Sequence, residues 1–136
     1  MPRLGKVCLV LDEEFTGDKL DTSIWQREVG INGWGNGQFE WTTADDENSR
    51  VEDGVLYIVP TLTEDKIGHD AIFDGYNLTV SDCTNGNLTE CNRYSNATAG
   101  TVINPVRSAR LSTRLSKSIR CAAFLVAEHK HARVLT

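Results

Sequence analysis

Within nine residues, Gly33-Trp34-Gly35-Asn36-Gly37-Gln38-Phe39-Glu40-Trp41 gathers three glycines, two tryptophans, two amide side chains and one carboxylate. Glycine at alternate positions lets a backbone turn through positive φ and approach a ligand closely. Indoles offer flat apolar faces with one donor each. A sugar ring is an apolar face edged by hydroxyls, so a site for it needs a stacking platform surrounded by donors and acceptors, and Trp34, Asn36, Gln38 and Glu40 supply that set. The same residues also suit a glycine-rich turn whose indoles fill a core. Asp12-Glu13-Glu14 places three carboxylates side by side, and the commoner meaning of such a cluster is a solvated strand end rather than a catalytic group.

The elements that must position this stretch read as strands joined by turns. Val7 to Phe15 opens as an apolar run suited to a buried strand, and Asp18 to Trp25 as a polar turn with one short segment. Asp53-Gly54 is a strong hairpin signal, followed by a strand from Val55 that Pro60 ends. Asp70-Ala71-Ile72-Phe73 and Tyr76 to Val80 read as weaker strands around Asp74-Gly75, and residues 81–101 as a long polar loop. Arg107 to Arg120 has two readings. Leu111, Leu115 and Ile119 recur as on a basic amphipathic helix, while alternation of Ala109, Leu111 and Thr113 against Arg110, Ser112 and Arg114 fits a strand. A hairpin cannot stand alone and needs a second sheet on its apolar face, which implies a sandwich.

Composition narrows the classes. Residues 1–106 carry 18 acidic and 7 basic side chains, and an acidic body argues against nucleic acid as the partner. No stretch approaches the apolar length of a membrane span, and the apolar run at Val7–Leu11 is too short for a signal peptide. Three sequons, at Asn77, Asn87 and Asn96, crowd one polar segment and point to a secretory, extracellular origin. Cys83 and Cys91 bound a loop of turn-forming residues, and a bridge between them would restrict the unfolded chain by roughly 2–3 kcal/mol; free thiols are the other reading. Metal binding is disfavoured, because the cysteine spacing is too wide for a knuckle and His129-Lys130-His131 has no cysteine at finger spacing.

Several of these segments together resemble a known family. Leu9-Val10-Leu11-Asp12-Glu13-Glu14-Phe15, Leu20 to Trp25, the Trp-Gly-Asn stretch, Asp53-Gly54-Val55-Leu56-Tyr57-Ile58-Val59-Pro60 and Asn104-Pro105-Val106-Arg107-Ser108-Ala109-Arg110-Leu111 follow one another as in the amino-terminal half of glycoside hydrolase family 16. The resembling branch is that of laminarinase-like endo-β-1,3-glucanases, which also holds the β-1,3-glucan recognition proteins, and the likeness spans roughly residues 8 to 120. It implies an all-β, concanavalin-like two-sheet jelly-roll sandwich, here incomplete, over residues 1–120, with 121–136 an unrelated tail. It also implies a strand at Ser108-Ala109-Arg110-Leu111, a cysteine pair like Cys83–Cys91, and a sugar-holding wall of Trp34, Asn36, Gln38 and Glu40, with Arg110 and Arg107 as second-rank members. The implied partner is β-1,3 or mixed β-1,3/1,4 glucan, with no cofactor.

Two departures limit what the likeness implies. Gln38 stands where laminarinases commonly have glutamate, which keeps hydrogen-bonding reach without charge. The retaining mechanism needs two carboxyl groups about 5–5.5 Å apart, which the family supplies from one strand as Glu-x-Asp-x-x-Glu; no glutamate in this chain has an aspartate two residues on. No catalytic residue is therefore assigned. The expectations are ancestry in glucan hydrolysis without activity in this chain, a glucan-binding module, or a fragment that exposes strand edges and does not fold.

Overall fold

The computed structural model of the chain describes residues 11–113 and the backbone of 132–134. Strands dominate, in four small sheets. Strand β1 (Trp25–Glu28) pairs antiparallel with β9 (Arg110–Thr113), with Glu28 opposite Arg110. Strand β2 (Glu40–Thr42) runs parallel to β8 (Val106–Ser108), which also carries the short β5 (Thr61–Leu62) on its other edge. Strands β3 (Ser49–Glu52) and β4 (Val55–Ile58) form a hairpin, extended by a parallel β10 (Ala132–Val134). Strand β6 (Asn77–Thr79) pairs antiparallel with β7 (Asn92–Tyr94). The all-β expectation is met: the described chain is largely strand, with few and short helices.

The hairpin follows from local chemistry. Asp53 and Gly54 both take positive φ, 51° and 74°, so the two-residue turn twists with the flanking strands, as Asp-Gly does in type I′ turns. The region after it differs from the sequence reading. Residues 70–73 are not a strand but lie in α2 (His69–Phe73), which follows α1 (Glu64–Ile67) across Gly68 at φ 90°. Ile72 is the inward residue of that helix, and its carbonyl accepts from Ile103 N–H. The β6 strand consequently pairs not across Asp74-Gly75 but with β7, inside what read as a polar loop. Residues 1–10, including Val7–Val10 of the Val7–Phe15 strand reading, and 114–120 of the basic segment lie outside the described residues, as does most of the 121–136 tail; the described part of that reading, residues 11–15, forms no strand.

Two apolar clusters hold these pieces. Val29, Ile31, Ile72, Leu78, Val80 and Ile103 pack under the Gly-Trp stretch, and Leu20, Val51 and Leu56 pack with Phe15, Trp25 and Leu111 under the hairpin. In the acidic cluster Asp12 and Glu14 are exposed, but Glu13 is tied inward: its carboxylate accepts from Phe15 N–H at 2.7 Å and from the Trp25 indole at 2.9 Å.

One surface pair titrates. His69 Nδ1 meets Glu64 Oε2 at 2.6 Å, and this bond, opposed by burial and assisted by the Glu64 and Asp70 charges, holds the imidazole above its ordinary value of 6.5. Because the folded pKa is the raised one, the pair's support is fully present below pH 6.5 and is lost as pH rises through the folded value. NMR titration should give a His69 midpoint above that of an unstructured histidine, and Glu64→Gln should bring it back down.

Candidate functional site

Trp34 sits in a single 3-10 turn, Gly33–Gly35, between the end of β1 and the start of β2. Its own backbone is left-handed, φ 53° and ψ 34°, which costs an L-residue about 1–2 kcal/mol. Gly33 is required for the turn: at φ 77° it lies so close to Gln38 that a Cβ would collide with the Gln38 backbone. Three neighbours hold the indole. Nε1 donates to Thr42 Oγ1 at 3.0 Å, and that fully buried hydroxyl donates in turn to Gly30 O at 3.2 Å. The Cε2–Cζ2 side of the ring lies against Gly30, where an added Cβ would come within 3.2 Å of Cζ2. Trp34 N–H donates to Glu90 Oε2 at 3.1 Å.

Arg110, reached from β9, places its guanidinium over the Trp34 ring, 4.7 Å from the centroid, while an ion pair with Glu28 steadies it from the opposite strand. Cation and indole attract through the ring quadrupole. The structure thus brings Trp34 and Arg110 together. Asn36 and Gln38 project from the turn exposed, and among the described residues their side chains have no hydrogen-bond partner. Glu40 is half-buried at the head of β2, opposite Val106.

The second indole and the second arginine are placed differently. Trp41 packs on the core cluster, and Arg107, its register partner across β2 and β8, lies 5.4 Å from the ring centroid. Arg107 is only 2% exposed and pairs with Asp45 and with Glu47 at 3.1 Å. Its assignment to a sugar-holding wall is therefore corrected: the guanidinium is spent inside the fold, tying β8 to the segment after β2.

Sequence reasoning marked the Cys83–Cys91 loop but not its docking behind Trp34. Cys83 and Cys91 are disulfide-bonded, and the loop between them docks on residues 29–34. Val29 N–H donates to Thr84 Oγ1 at 2.8 Å, Ile31 N–H to Glu90 O at 2.8 Å, and the Asn32 amide to Thr89 O and Asn92 O. Arg93 completes the seam by donating to Asn32 Oδ1 at 3.0 Å. The sequon residues Asn77, Asn87 and Asn96 are all exposed. Asn87 Oδ1 accepts from Thr89 N–H at 3.1 Å and caps the 3-10 turn Leu88–Cys91, and Asn96 Oδ1 accepts from Ala99 N–H at 2.8 Å. Among the described residues no group of His, Cys, Asp and Glu side chains could hold a metal ion, and no helix is long and apolar enough to cross a membrane.

Chemically, the arrangement offers an indole in a rigid turn with a cation over it and two unengaged amides alongside. The chain is similar to a beta-1,3-glucan-binding protein of Penaeus monodon, 31% identical over 119 residues that cover 83% of this chain and 31% of that protein. It is similar to beta-1,3-glucan-binding protein 2 of Manduca sexta, 35% identical over 117 residues, 84% of this chain and 23% of that protein. A third relative is glucan endo-1,3-beta-glucosidase A1 of Niallia circulans, 37% identical over 65 residues, 42% of this chain and 10% of that protein. The chain spans less than a third of the length of each of these relatives. No family model matches it, and no solved structure gives a significant match.

Proposed function

We propose that this chain is a β-1,3-glucan-recognising segment of the glycoside hydrolase family 16 type, which holds sugar rings at Trp34 and Arg110 and does not cut them. The observation that carries the reading is the Trp34–Arg110 pair beside the exposed Asn36 and Gln38. An indole supplies the apolar platform, the guanidinium supplies fixed donors for ring hydroxyls, and the amides supply both donors and acceptors. Two relatives named as β-1,3-glucan-binding proteins support glucan as the partner. On this reading the four small sheets belong to a two-sheet jelly-roll sandwich, and the exposed sequons and the disulfide fit an extracellular protein.

The hydrolytic reading is favoured by the glucanase relative. It needs a nucleophile and an acid about 5–5.5 Å apart, and the chain contains no Glu-x-Asp-x-x-Glu to supply them. Sedimentation with insoluble β-1,3-glucan, run alongside a reducing-end assay on laminarin, separates the two. Retention on the pellet without released reducing ends is the expected result; release in proportion to protein would overturn the binding-only reading. A sharp cooperative melt of the same sample would set aside the unfolded-fragment alternative.

A further inference from the structure

The platform indole stands on a turn that does not hold itself. Trp34 is a non-glycine residue at φ 53°, and the turn's internal support is a single backbone bond, Asn36 N–H to Gly33 O at 2.8 Å. What pins it comes from 56 residues away. The Glu90 carboxylate takes Trp34 N–H, and the Glu90 carbonyl takes Ile31 N–H, so one residue grips the chain on both sides of Gly33. Glu90 is 9% exposed, and among the described residues no cation pairs with it. A buried carboxylate is a costly way to fill a core. It is a strong acceptor for a backbone N–H, because a charged acceptor roughly doubles such a bond.

The position of Glu90 is itself fixed. The Cys83–Cys91 disulfide closes its loop one residue beyond it, and the paired bonds of Val29 with Thr84 seat the other end, Val29 N–H to Thr84 Oγ1 at 2.8 Å and Thr84 N–H to Val29 O at 3.0 Å. We infer that Glu90 is a positioning residue for Trp34, and that the disulfide-closed loop 83–91 is part of the glucan-holding site; the functional half of this inference rests on the reading given above. Loosening the loop frees Glu90, lets the Trp34 backbone relax from its left-handed state, and turns the indole away from Arg110. Glucan binding thereby becomes sensitive to reduction of a disulfide that touches no sugar.

The test uses Glu90→Ala, Glu90→Gln, which keeps an acceptor at the same reach, and wild type with and without reductant. Two quantities are read: the three indole N–H resonances in ligand-free protein, with Trp34 identified by its loss in Trp34→Phe, and affinity for a β-1,3-linked glucose hexamer. Glu90→Ala should move the Trp34 resonance, leave those of Trp25 and Trp41 in place, and weaken hexamer binding about tenfold. Glu90→Gln should restore the resonance and bind within about threefold of wild type, and reduction should act like Glu90→Ala. An unmoved Trp34 resonance in Glu90→Ala overturns the inference. So does collapse of all three resonances, which shows a general structural role, or a Glu90→Gln chain no better than Glu90→Ala. Should wild type fail to bind the hexamer, the glucan reading falls while the ligand-free Trp34 resonance still decides whether Glu90 positions it.

Discussion

A Trp34→Ala chain is expected to bind a β-1,3-linked glucose hexamer roughly 100-fold more weakly than wild type in isothermal titration calorimetry. The magnitude comes from area: a sugar ring covers about 100 Å² of indole, and at about 25 cal/mol per Å² its loss removes about 2.5 kcal/mol, nearly two decades in affinity. The substitution also breaks the bond from Nε1 to Thr42 and empties the contact on Gly30, so the variant must first be shown to melt cooperatively. Trp41→Phe is the control. Trp41 packs on the core cluster beneath Arg107, so its replacement should lower the melting temperature and leave affinity within about twofold. Equal affinity losses from the two tryptophans in folded samples would mean that the platform has been misplaced.

That contrast between two indoles seven residues apart marks how far the sequence could be read. Both stood in one glycine-rich stretch, and composition carries no information about which one a turn lifts out and which one a strand turns in. Structure separates them through Gly33, whose positive φ starts the turn at Trp34, and through β2, whose pairing with β8 sets Trp41 beside Arg107. The arginines were more legible than the reading made of them. Arg107 and Arg110 are an odd number of residues apart, so strand alternation already sends them to opposite faces. Only Arg110 reaches Trp34, since β8 pairs with β2 and β5 whereas β9 pairs with β1.

Local turn chemistry gave the Asp53-Gly54 hairpin, because both residues tolerate the φ values that the turn demands. Residues 70–73 failed for the converse reason. Four residues carry too little periodicity to distinguish a helical turn from a strand, and the outcome was settled by Ile72 meeting Ile103, a contact made across some thirty positions of chain. Glu90 was invisible for the same cause. It lies beside a sequon in a polar run, and its use depends on a disulfide loop folding back on residues far upstream.

The largest loss of stability is expected from the smallest change of shape, Asn104→Asp. Asn104 is 1% exposed, and its amide nitrogen donates to Ile31 O and to Glu40 O, the two ends of the Gly-Trp stretch, the latter at 2.8 Å. Its backbone carbonyl meanwhile accepts from Thr63 Oγ1 at 2.7 Å. Aspartate keeps the size but replaces both donors with an oxygen, which faces two carbonyl oxygens in a buried site. At pH 7 the cost should be on the order of 3–5 kcal/mol, from two buried carbonyls left without donors and a carboxylate left without a partner. A fall in melting temperature of about 10–15 °C corresponds to this. Burial without donors raises the folded pKa of an aspartate above its unfolded value of about 3.9. With the folded pKa the higher one, the variant is least impaired below pH 4. Its deficit against wild type then grows with pH by up to about 1.4 kcal/mol per unit until the folded carboxyl ionises. Asn104→Ala, which loses the same donors and adds no charge, should show a smaller and pH-independent deficit. Denaturant titrations of both variants at pH 4 and pH 7 decide the matter: an Asn104→Asp deficit that is equal at the two pH values would show that the amide does not bridge the two ends of the stretch inside a dry core.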